Sequence, residues 1–290
     1  MLLCTAFVDL AVFLQREYST HKSGLQTGKT MLFLPENIRK NKMTSVTILV
    51  DNHMSPPWEA EHGLALAIRH GEHHILFDTG SGTALLPNLR TAGLAVTDFT
   101  CLILSHGHYD HTGALADILP HFRGWVYHAP GCTGSHWSLH PGMPPRNIAM
   151  TAKDQEALLN YSRRKEIPGF TGIAPGIWLT GPIPRESGED TGGPFFLDRD
   201  GKNADLIEDE QAMLLSDGTL IQGCCHAGII NTVRYCRKCV PHIPVKRIIG
   251  GLHLLHASPE RLRETAEFLQ AFDVTPLHCT GENAAALLRA

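Results

Sequence analysis

Four side chains able to hold a metal ion fall within six residues, His106-Gly-His108-Tyr-Asp110-His111, directly after the apolar run Leu102-Ile-Leu104. His106 and His108 are two apart on what reads as an extended loop leaving a buried strand, so both imidazoles can face one cation. Asp110 and His111 begin the next helix and can face a second cation beside it. Imidazole and carboxylate together suit zinc, iron or manganese. The expected cofactor is therefore one or two divalent ions, zinc first, with iron or manganese as the alternatives. A bound divalent ion lowers the pKa of its water to about 7, and a second ion about 3.5–4 Å away clamps the substrate oxygen. Chemistry of this kind needs no protein nucleophile.

These ligands have to be delivered by strand ends. Short apolar runs at 46–50, 65–69, 74–77 and 100–104 read as buried strands bounded by Gly, Asp and Ser. A second set follows at 176–180, 212–215, 220–222, 246–250 and 274–277. Helices are expected between them at 113–118, 229–237 and 259–272; in the last, Leu262, Ala266 and Leu269 recur at three and four residues behind Pro259 and Glu260. Two strand-rich halves with helices outside predict a layered α/β sandwich. The stretch 180–205, rich in Gly, Pro and acidic residues, reads as a long loop. Residues 1–43 are polar and basic after a short apolar start, without sustained periodicity, and read as a disordered tail ahead of a domain at 44–290.

The pattern His-x-His-x-Asp-His after an apolar strand resembles the signature of the metallo-β-lactamase superfamily. The resemblance extends to Ile75-Leu-Phe-Asp78-Thr-Gly80, Glu61-His-Gly63, Pro182-Ile-Pro-Arg185, Asp209-Glu-Gln211, Gly223-Cys-Cys-His226-Ala-Gly-Ile229, Gly250-Gly-Leu-His253-Leu254 and Leu277-His278-Cys-Thr-Gly281. These are similar to one branch, which includes an archaeal dihydropterin ribofuranosyl-aminobenzene phosphate synthase. The resemblance implies an αββα sandwich. It also implies that His226 and His278, each ending a predicted strand, close the metal site, and that Asp78 orients a metal-bound imidazole. One position departs from the superfamily: a Gly-Asp that usually supplies a bridging carboxylate is Gly223-Cys224 here. Asp209 or Glu210 could supply the missing carboxylate. Asp110 would hold metal and orient the attacking hydroxide, and His253 on its Gly-Gly-Leu-His turn would hydrogen-bond a developing anion.

Weaker signals carry two readings each. His62 can line the pocket or be an ordinary histidine. Cys224, Cys225 and Cys279 can touch metal or be small buried thiols. Cys236-Arg-Lys-Cys239 has the spacing of half a zinc site but sits on a predicted helix. Arg185 can grip a phosphate or carboxylate or be a solvated loop arginine, and Arg185 with Asn88 would form a thin phosphate and pterin cluster.

Composition narrows the function. Hydrophobic residues at 43% and charged residues at 19% fit a folded soluble enzyme. A net charge of −4 leaves no footprint for nucleic acid. Eight cysteines spread over 290 residues read as reduced thiols in the cytoplasm, and no signal peptide or membrane span is expected. The expected partner is a small-molecule substrate, and nothing specifies an oligomeric state. The leading reading is a hydrolase acting on an ester, lactone, thioester or phosphoester by metal-bound hydroxide. The alternatives are a pterin or arylamine transferase like the archaeal relative, and a non-catalytic metal-stabilised binding protein.

Overall fold

The computed structural model describes residues 44–189 and 192–289, so the expected tail at 1–43 lies outside the described residues. The apolar runs form two six-stranded sheets. The first runs in the order Ser45–Val50, Ala65–His70, His73–Phe77, Cys101–Ile103, Trp125–His128, Arg164–Glu166. Its first three strands are antiparallel, and from His73–Phe77 onward the pairing is parallel. The second sheet runs Asp273–Pro276, Arg247–Gly250, Thr219–Gln222, Met213–Leu215, Ile177–Leu179, Thr171–Ala174. Here Thr219–Gln222, Arg247–Gly250 and Asp273–Pro276 are the parallel strands. Each sheet therefore has one parallel half. The carboxyl ends of parallel strands are where open α/β sheets gather ligands.

Strand periodicity of two sorts the apolar side chains into three cores. Leu66, Ile68, Ile75, Phe77 and Ile103 from the first sheet meet Leu179, Met213, Leu215, Ile221 and Ile249 from the second. Alternating neighbours such as Ala67, Leu76 and Leu102 turn outward against Leu85, Leu89, Leu115 and Leu158, which lie on helices Leu85–Thr91, Leu115–Ile118 and Ala152–Asn160. Leu214, Leu220 and Ile248 pack against Val233, Cys236, Leu269 and Ala284 of helices Ile229–Cys239, Pro259–Leu269 and Glu282–Arg289. The layers are α, β, β, α.

Two expectations need correction. The segment 180–205 is not wholly loop. Phe195–Phe196 pairs with Trp137–Ser138, which pairs in turn with Arg146–Asn147, giving a small third sheet. Pairs this short carry too little pattern to read. The last predicted helix stops at Leu269 rather than 272, and starts where the Ser258 side chain accepts from the Arg261 backbone N–H, with Pro259 in the first turn. Cys236 is buried and Cys239 exposed on their helix, and no metal-holding group among the described residues includes either. Among the described residues no helix is long and apolar enough to cross a membrane.

Candidate metal centre

The strand Cys101–Ile103 runs out into Leu104-Ser105-His106, and this exit is clamped from the second half of the molecule. The Gln211 backbone N–H donates to Ser105 O (2.8 Å) and its side-chain amide donates to Leu104 O (2.8 Å). Gly107 donates to Asp209 Oδ2 at 2.7 Å. A Cβ on Gly107 would lie 2.1 Å from Cys132 O, so only glycine lets the loop pass. Helix Tyr109–Thr112 then buries Asp110 and His111. His226, His253 and His278 follow the carboxyl ends of Thr219–Gln222, Arg247–Gly250 and Asp273–Pro276, which brings them to the same edge.

Left-handed backbone concentrates at this edge. Asp78 (φ 59°), Cys225 (φ 63°), His253 (φ 47°) and His278 (φ 48°) adopt it although none is glycine. Such residues cost about 1–3 kcal/mol each and persist where surrounding contacts over-determine them. The contacts are visible at His278, whose N–H donates to Asp51 Oδ1 (2.7 Å) and whose Nδ1 meets Asn52 Oδ1 (2.8 Å).

Donor atoms gather in overlapping groups, each lying within 4.8 Å of one another: His106, His108 and His226; His62, Asp110 and His278; His106, His111 and Cys224; Cys224, His278 and Cys279. The Nε2 atoms of His106 and His108 are buried and take no hydrogen bond. An orphaned buried imidazole nitrogen is costly in a folded protein, and a divalent cation satisfies several at once. Burial and the neighbouring His111 and His226 hold the pKa of His106 well below its ordinary value, and burial and His106 do the same for His108. Neutral imidazole is the ligand form. The donor set fits a divalent metal.

At Asp110, burial alone would raise the pKa; the charges of His111 and His278 outweigh it and hold the carboxyl ionised. His62 Nε2 lies 3.1 Å and His278 Nε2 3.4 Å from Asp110 Oδ2. Asp78, fully buried, accepts from Ser105 N–H and Ser105 hydroxyl (2.7 Å each) and pairs with His111 Nδ1 at 2.7 Å, leaving His111 Nε2 aimed at Cys224 Sγ, 3.2 Å away. A carboxylate behind an imidazole fixes its tautomer.

Other expected residues lie elsewhere in the network. Glu210 accepts the N–H groups of His226 and Ala227 (2.6 Å each), and burial raises its pKa to about 7. With Asp209 on Gly107, both carboxylates hold ligand-bearing backbone, and no donor group among the described residues includes them. Arg185 donates to the carbonyls of His226 and Leu206. Asn88 is fully buried, donates to Leu49 O and Glu59 O, and accepts from Glu59 N–H. Neither Arg185 nor Asn88 lines the cavity, because their polar atoms tie loops together. Cys224 occupies the position where a bridging carboxylate was expected and belongs to two of the donor groups; the departure from Gly-Asp was the signal for it. A pair invisible in the sequence is His136, whose Nδ1 meets Asp205 Oδ2 at 2.6 Å and whose ring lies 5.2 Å from that of His108.

The donors open onto a cavity of about 410 Å³ lined by His62, His108, Asp110, Cys224, His253 and His278 together with Phe195, Met143, Leu255 and Arg146. Burial lowers the pKa of His253 to about 4, and its ring lies 4.4 Å from that of His226, tilted by 43°.

The family model of the metallo-beta-lactamase superfamily matches residues 58–199. A crystal structure of a metal-dependent hydrolase of the beta-lactamase superfamily superposes with a TM-score of 0.71 at 28% identity, covering 84% of this chain and 91% of that one. An uncharacterized protein of Methanocaldococcus jannaschii is 30% identical over 239 residues, 81% of this chain and 90% of that protein. The chain belongs to the metallo-β-lactamase superfamily. Within the superfamily it is also similar to the 7,8-dihydropterin-6-methyl-4-(beta-D-ribofuranosyl)-aminobenzene-5'-phosphate synthase of the same archaeon, 28% identical over 254 residues, 78% of this chain and 83% of that enzyme.

Proposed function

We propose that this protein is a metal-dependent hydrolase that cleaves an ester, lactone, thioester or phosphoester bond in a small molecule. The observation that carries this reading is the set of buried imidazole nitrogens without hydrogen-bond partners on His106 and His108, with His108 and ionised Asp110 lining a 410 Å³ cavity. Zinc, or iron or manganese, held by these donors would supply water activated near neutral pH. Asp110 accepts a hydrogen bond from the attacking water and sets its direction. His253, neutral through burial, donates to the oxygen on which charge develops. Phe195, packed within 5.3–5.8 Å of the rings of His226, His108 and His253, keeps bulk water from the reacting bond. The free thiols of the described cysteines support a reducing compartment such as the cytoplasm.

A second reading, transfer rather than hydrolysis, is favoured by the likeness to the archaeal synthase. It is weakened by Arg185 and Asn88, whose polar atoms are committed to backbone groups. The deciding experiment is metal content by plasma spectrometry on wild type and His108→Ala, with lactone, thioester and phosphodiester substrates offered to the same samples. Metal and turnover lost together in the variant support the hydrolase. Bound metal without turnover of any of them moves transfer, or a non-catalytic metal-stabilised binding role, ahead.

A further inference from the structure

The small third sheet contributes residues to the cavity lining. Its register sets Phe195 opposite Ser138 and Ser138 opposite Arg146, one cross-strand row, and all three line the cavity. Directly opposed residues share a face of a sheet. Neighbouring strands lie about 4.7–4.9 Å apart, so the backbone of Arg146 stands roughly 10 Å from that of Phe195. Phe195 packs against His108, His226 and His253, which puts the inner end of the row at the donors. The row therefore runs from apolar at the metal centre, through a hydroxyl, to a cation at the mouth.

Arg146 is held in that place. Its guanidinium lies over the Tyr109 ring, 5.1 Å from the centroid, and donates to the Tyr109 hydroxyl. Tyr109 is the residue before Asp110, so the cation is tied to the ligand-bearing turn itself. Among the described residues Arg146 has no carboxylate partner. Among the described residues the carboxylate lining the cavity is that of Asp110, which is engaged by His62 and His278. Two more imidazoles, His140 and His256, line the same space. An arginine fork at the end of such a row is suited to a planar or tetrahedral oxyanion.

We infer that the substrate is an elongated small molecule with its scissile bond at the histidine donors and a terminal carboxylate or phosphate at its far end, received by Arg146 across the Phe195, Ser138, Arg146 row. This deepens the hydrolase reading and rests on it for the reaction, but the anion site can be tested without turnover. The binding arm uses suberate, which has no bond to hydrolyse, against octanoate, by titration calorimetry on the metal-loaded protein. An ω-phosphonoalkanoate of the same length tells phosphate from carboxylate preference. Suberate is expected to bind about 10-fold or more tighter than octanoate, the scale of a charge-assisted contact. The advantage should vanish in Arg146→Met, return in part in Arg146→Lys, and weaken in Tyr109→Phe. Arg146 is exposed, and unchanged metal content and circular dichroism would certify the folded Met variant. The turnover arm compares mono(4-nitrophenyl) esters of adipate and suberate with 4-nitrophenyl hexanoate and octanoate. Equal affinity for suberate and octanoate, or a preference that survives in Arg146→Met, overturns the assignment. A preference with none of these esters and none of the lactone, thioester and phosphodiester substrates cleaved leaves Arg146 standing and removes the hydrolase reading; cleavage without preference does the reverse.

Discussion

The two main donor groups at the sheet edge differ in kind. His106, His108 and His226 are three buried imidazoles of which two are held uncharged and present nitrogens that no protein group satisfies. His62, Asp110 and His278 are a carboxylate between two histidines, one of them exposed, and the Asp110 carboxylate is answered directly by the imidazole of His278. Burial alone would lower the pKa of His278; the Asp110 contact raises it to about 9. The first group depends on a cation to satisfy buried polar atoms, whereas the second is already compensated. A metal entering the second group has to displace protons from an ion pair, which weakens its binding as pH falls. The contrast implies two affinities, with Cys224 as the donor that joins the groups.

The largest test removes the tighter side. His108→Ala is expected to cost more than the roughly 10–100-fold that loss of an outer partner costs, in both metal affinity and turnover, measured by plasma spectrometry and initial rates. Equal loss of metal from His108→Ala and from His62→Ala would erase the proposed contrast. Cys224→Ala comes next. It should leave metal at His106, His108 and His226 and empty the neighbouring group, while Cys224→Asp restores the second ion and shifts its preference from zinc toward manganese or iron, as oxygen replaces sulfur. Cobalt-loaded protein reports this directly, because a thiolate charge-transfer band present in wild type and absent from Cys224→Ala requires sulfur on the metal. An unchanged band would place the thiol outside the coordination sphere.

The unequal legibility of these groups has a physical cause. His106, His108, Asp110 and His111 could be read because one strand exit delivers them together, and chain proximity made their meeting a local matter. The strands that carry them were readable for a related reason: consecutive residues such as Ile75, Leu76 and Phe77, or Ile248 and Ile249, are apolar and buried on both faces. What escaped depends on contacts between residues far apart in the chain or on pairs too short to carry a pattern. Asp209 reaches Gly107 from 102 positions away, and sequence cannot say whether such a carboxylate will face a metal or a backbone N–H. Arg185 and Asn88 were read as ligand groups because their chemistry allows it, yet each found carbonyl partners first. The row of Phe195, Ser138 and Arg146 rests on two-residue strands, shorter than any run from which alternation can be inferred.

A smaller effect is expected behind His111. Asp78→Asn keeps the size of the side chain but removes the charge that holds the His111 Nδ1 proton and turns Nε2 toward Cys224. A loss of about 10–100-fold in metal affinity follows if Asp78 acts through that tautomer. Chelator titration followed by metal assay reads it, and a variant with wild-type affinity would reduce Asp78 to a fold element that braces Ser105.

The smallest effect lies behind the first group, where His136 and Asp205 support the loop of His108 from outside the donor set. Burial opposes protonation of His136, but the Asp205 hydrogen bond and the nearby Asp209 outweigh it and raise the pKa above 6.5. A histidine that holds its proton more tightly when folded contributes stability that is fully present below its unfolded pKa, about 6.5. That contribution is lost as pH rises through the higher folded value. Asp205→Asn should therefore flatten the fall in melting temperature of wild type as pH is raised from below 6.5 into the alkaline range. The melts are run in chelator, so that protons and metal do not compete for the donors. His278, raised by Asp110, adds a slope of the same sign to both proteins and cancels from the difference. If the two curves stay parallel, His136 is neutral in the fold and the support behind the first group is hydrogen bonding alone; if they converge with rising pH, a charged pair braces the very group whose own imidazoles must remain uncharged to hold metal.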